Sequence, residues 1–145
     1  LIILDYYYNP LTKGSNSIKA ILPAILNTCD FLKNKYSKPI SEINLTSINF
    51  DEKHLWIQIK DQKVINPYKL LPPIFNQFGK EELEHFISGL DTVSDGGAAL
   101  TAYSKLQFVD MSIKERDSIK KSLFKYCELD TLAMVMIYEH LKTLV

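Results

Sequence analysis

The feature that most constrains this chain is a long helical pattern in its last third. Ser112-Ile113-Lys114-Glu115 is a capping box, a serine followed three residues on by a glutamate. From there Ile119, Leu123, Cys127, Leu132, Val135 and Ile137 carry a helical spacing to about Leu141. Leu132 to Ile137 is apolar on every side, which predicts a helix sunk within a domain. So long a pattern leaves room for a break near Lys125.

The rest divides into short pieces. Ile18, Ile21, Leu22, Ile25 and Leu26 mark one buried helical face, with Ser15 or Ser17 as its N-cap. Pro23 within it predicts a kink or a fresh start, and Cys29 to Tyr36 adds a turn or two before Pro39. Lys13-Gly14-Ser15 reads as a turn, and Ser41 to Phe50 as loop. His54 to Lys60 has strand character, and Asp61-Gln62-Lys63 turns it into a partner at Val64-Ile65. Asn66-Pro67 breaks that pattern. A short helix over Tyr68 to Phe78 is expected to be interrupted or restarted at Pro72-Pro73, another runs from about Lys80 to Leu90, and Ser94-Asp95-Gly96-Gly97 opens a third. The expected fold is mainly α (α+β), a helical domain with a small β-hairpin insertion.

Composition removes several classes of function. The 17 basic and 17 acidic residues cancel, so no overall field draws the chain to nucleic acid or anionic lipid. Cys29 and Cys127 are too far apart for a metal knuckle and fit a reduced, cytoplasmic setting. No apolar run approaches the roughly 20 residues of a membrane helix. The chain begins at Leu1 without a methionine. It reads as one domain fragment, residues 1–145, excised from a longer protein.

Tyr126-Cys127-Glu128-Leu129-Asp130 is the strongest local signal for chemistry. Tyr126 and Asp130 are four residues apart and share a helix face. An aspartate entering an apolar stretch needs a partner, and hard Mg²⁺ or Mn²⁺ is one. The plain alternative is a local cap or salt bridge at Asp130, with Tyr126 filling the core. Other candidates are weaker. Ser94 to Gly97 could cradle a phosphate or simply cap a helix. His54, His85 and His140 show no ligand spacing. Lys33, Lys35 and Lys38 form a modest basic cluster or a solvated helix end, and Trp56 reads as a packing anchor.

Tyr126-x-x-x-Asp130 resembles the third motif of the DEDD (ribonuclease H-like) 3′–5′ exonucleases. Gly14 to Pro23, Asp95 to Ala99 and Tyr126 to Met134 are similar to segments of a bacterial domain family of unknown function found in exonuclease-like proteins. The resemblance implies the C-terminal half of a ribonuclease H-like domain that acts on nucleic acid with Mg²⁺ or Mn²⁺. Asp130 would ligate metal and Tyr126 would orient the attacking water. A DEDD site also needs an Asp-x-Glu, and none occurs here; Asp51-Glu52 is adjacent and lies in a loop. The missing carboxylates are expected upstream, in the same polypeptide, which leaves this stretch inert alone. The competing expectation is a non-catalytic accessory or protein-interaction domain.

Overall fold

The computed structural model describes residues 8–72 and 95–144. Among them are four α-helices and one two-stranded antiparallel sheet, so the mainly helical class holds. The chain forms two compact units, Leu1–Leu71 with Glu128–Val145 and Pro72–Cys127. The last helix contributes residues to both. The expected helices over Tyr68 to Phe78 and Lys80 to Leu90 lie largely or wholly outside the described residues, as do Leu1 to Tyr7.

In the first unit, Asn9 caps a 3₁₀ turn at Pro10–Thr12. Lys13 and Gly14 then take positive φ, as a tight reversal requires. Ser17 caps α1 (Ile18–Thr28), its side chain accepting from the Lys19 N–H. Pro23 does not end α1. It removes one backbone bond, which costs about 3 kcal/mol. Burial of Leu22, Ile25 and Leu26, all 0% exposed, offsets this at about 1.5–3 kcal/mol each. α2 (Asp30–Tyr36) follows and buries Leu32 and Tyr36.

The expected strand over His54 to Lys60 shrinks to β1 (Ile59–Lys60), paired with β2 (Lys63–Val64). Asp61 and Gln62 both have positive φ, the geometry of a two-residue hairpin turn. Residues before β1 spend their backbone groups singly. His54 C=O accepts from Ile40, Ile57 N–H donates to Tyr36, and Leu55 bridges Pro39. Among the described residues no partner strand runs beside them, so their alternation does not become a ladder. Asn27 ties the hairpin to α1 by accepting from the Val64 N–H at 3.1 Å.

In the second unit, α3 (Asp95–Phe108) packs Ala102 on Ile119 of the last helix, with Ala99, Leu106, Leu123 and Tyr126 around them. Arg116 Nη1 donates to the Leu106 carbonyl at 3.2 Å, satisfying an acceptor that the end of a helix leaves over.

α4 (Ile113–Lys142) is one helix of 30 residues, with no break near Lys125. Ser112 Oγ accepts from the Glu115 N–H, as the capping pattern requires. Its C-terminal stretch places Leu129, Ala133 and Met136 in the core of the first unit, beside α1, α2, Ile40, Trp56 and Ile57. The stretch Leu132 to Ile137 is not buried all round. Met134 is 55% exposed and Val135 45%, so the helix is amphipathic there after all.

Candidate functional site

The candidate residues fall on α4, where tertiary packing decides which way each points. Tyr126 is half-buried and packs against the Ala102–Ile119 cluster of the second unit. Asp130 is half-buried in the first unit, and its Oδ1 accepts a 2.7 Å hydrogen bond from the Tyr68 hydroxyl. Tyr68 is itself held. Asn66 caps its 3₁₀ turn by accepting from the Tyr68 N–H at 3.1 Å. The Tyr68 ring packs on the core, and Lys19 Nζ lies 5.6 Å from its centroid.

Two other carboxylates of α4 make a useful contrast. Glu128 accepts from the Ile48 N–H at 2.7 Å, from Asn49 Nδ2 at 2.7 Å and from Ser47 Oγ at 3.0 Å. Glu139 takes Lys35 Nζ at 2.6 Å and the Tyr36 hydroxyl at 3.0 Å. Burial raises the Tyr36 phenol, and the hydrogen bond to Glu139 and its charge add to the shift. Glu139 therefore has a cation and Glu128 a cage of three donors. Asp130 has one neutral hydroxyl and no ion pair among the described residues.

The other candidates settle into ordinary roles. Lys33 pairs with Asp30 at 3.0 Å and Lys35 with Glu139, so the cluster that includes Lys38 is mostly tied within the first unit. Trp56 is 2% exposed, edge-on to Phe50 and His54. His54 stacks on Phe50 at 3.6 Å. Burial lowers its pKa against the opposing pull of Asp51, and burial alone lowers that of His140. His85 and Ser94 lie outside the described residues, and α3 begins at Asp95.

Whether these residues suit a divalent ion is a matter of donors. Among the described residues, no three His, Cys, Asp or Glu side chains converge on a point. Asp130 is a single carboxylate, whereas two-metal phosphoryl chemistry needs several. The described donor set does not by itself fit the ions.

Sequence reasoning missed Tyr68 and the Ser47–Asn49 cage of Glu128. These partners lie 62 and roughly 80 residues from the acids they serve. No local spacing encodes such a pairing. The only hint was the concentration of Ser and Asn in a segment read as loop.

No protein-family model, curated protein or solved structure matches the chain. The likeness to the exonuclease family therefore rests on the motif residues alone.

Proposed function

We propose that the chain is the C-terminal part of a metal-dependent, DEDD-type exonuclease-like domain acting on nucleic acid. Asp130 is its contribution to a carboxylate set that other residues of the same protein complete. One observation supports this above the rest. Of the three acids that α4 brings to the first unit, Asp130 alone has a single, neutral partner among the described residues. A half-buried carboxylate so placed favours an added cation. Carboxylates that ligate metals are commonly oriented by just such an outer hydrogen bond, and Tyr68 supplies it. Tyr126 lies one helical turn before Asp130 on the same helix, the spacing on which the resemblance rests.

A second reading, a non-catalytic accessory or interaction domain, is favoured by two observations. The Tyr68 hydroxyl satisfies one oxygen of Asp130 without metal, and Tyr126 is used in packing.

The test is digestion of labelled single strands with Mn²⁺, by the longer protein and by the 145-residue chain. The nuclease reading expects metal-dependent cleavage by the former and none by the latter. No cleavage by the longer protein, with an intact fold, selects the accessory reading.

A further inference from the structure

Overall neutrality conceals a local separation of charge. Between Ile113 and Cys127, α4 carries five basic residues against two acidic; between Glu128 and Lys142 it carries two acids more than Lys142 and His140 would balance if only the lysine is charged. In the first stretch, Ile119, Leu123 and Tyr126 turn inward to the cluster with Ala102. That packing leaves Lys114, Lys120 and Lys121 exposed, and none of the three is in an ion pair among the described residues. Phe124 is 69% exposed in their midst. It lies four residues after Lys120, three after Lys121 and one before Lys125, so on a helix it is bracketed by ammonium groups. Asp117 shares this face and lowers its charge without cancelling it.

We infer that this face of α4 binds single-stranded nucleic acid, with the lysines on phosphates and Phe124 stacking on a base. Lysines along a backbone with an interleaved exposed aromatic are the two elements of sequence-independent single-strand binding. An anionic lipid surface fits less well. A helix lying in a membrane interface needs a broad apolar face, and here that face is turned to Ala102. The inference goes beyond the reading of Asp130, because it needs no metal and holds equally for an accessory domain.

The test is the fluorescence anisotropy of a labelled oligothymidylate titrated with the 145-residue chain in chelator, so that cleavage plays no part. Binding should weaken steeply between about 50 and 200 mM salt, with a log–log slope of about −2 to −3 for three or four lysines. Lys120→Ala with Lys121→Ala should weaken binding about tenfold at low salt and flatten that slope by about 1.4. Phe124→Ala should weaken it about fivefold or more with the slope unchanged, since stacking carries no counterions. Lys13→Ala, far along the sequence, should change nothing. All these side chains are exposed, and circular dichroism checks that each variant folds. The inference is overturned if the wild-type chain does not bind, or if the lysine and Phe124 variants bind as it does. It is equally overturned if polyglutamate competes as well as the strand, or if anionic vesicles are bound and the strand is not.

Discussion

The two stretches of α4 show how one helix can be held in two different ways. Glu128 to Lys142 places Leu129, Ala133 and Met136, each 0% exposed, in the core of the first unit, and fastens its edges with Glu128 and Glu139. Ile113 to Cys127 buries Ile119 on Ala102 with half-buried neighbours among the described residues, and turns lysines to water. Its acids make no ion pairs among those residues. The first stretch spends Glu128 and Glu139 on internal bonds; the second leaves Lys114, Lys120 and Lys121 exposed. A helix with internal charges reads as scaffold, and one with outward charges as surface. Asp130 is the exception in the scaffold stretch, and for that reason it is the candidate for chemistry.

The largest expected effect breaks or confirms this contrast directly. Leu129→Ala should cost about 2–5 kcal/mol, and Ile119→Ala should fall at or below the lower end of that range because its half-buried surroundings can close on the void. Equal losses in urea unfolding would erase the distinction. Next is Glu128→Gln, which weakens a cage of three donors and should cost about 1.5–3 kcal/mol, the range for hydrogen bonds to a charged group. Tyr68→Phe removes a single hydroxyl bond to a carboxylate and should cost about 1.5 kcal/mol, the low end of that range. A Tyr68→Phe loss larger than that of Glu128→Gln would mean that Asp130, not Glu128, is the structural fastening.

The smallest effect is on pH. Burial lowers the pKa of His54 and of His140. The folded chain therefore binds fewer protons than the unfolded one just below the ordinary histidine value of about 6.5. Stability should be complete above that value and decline as pH falls through the window beneath it towards the lowered pKa. His54→Phe, which keeps a ring stacked on Phe50, should flatten melting temperature between about pH 6.5 and 5. An unchanged slope would assign the effect to His140.

Local chemistry was legible in the sequence, and long-range pairing was not. The apolar face of α1, the Ser17 and Ser112 caps and the Asp61-Gln62 turn follow from residues within a few positions of one another. The strand over His54 to Ile57 failed because alternation describes side chains, whereas a ladder needs a neighbouring strand. The break near Lys125 failed because the inward positions change frame, from Ile119 and half-buried Leu123 to Leu129, Ala133 and Met136, while the backbone continues. The expected all-round burial of Leu132 to Ile137 failed at Met134 and Val135, since hydrophobic residues are not obliged to be inside. At the candidate site, the helical spacing of Tyr126 and Asp130 was legible. The Tyr68 hydroxyl, which decides how Asp130 is held, was not.

Asp130→Asn tests whether this carboxylate is kept for a cation, as proposed, or for the fold. Asparagine preserves the side-chain volume, and its carbonyl oxygen can still accept from the Tyr68 hydroxyl, so only the charge is lost. Melts of the 145-residue chain in chelator are paired with Mn²⁺-dependent cleavage by the longer protein proposed above. The account predicts an unchanged or slightly raised melting temperature together with a loss of at least about a hundredfold in cleavage, as removal of a metal-holding charge requires. A clear fall in melting temperature, with cleavage by the longer protein undiminished, would contradict it and leave Asp130 as a structural partner of Tyr68.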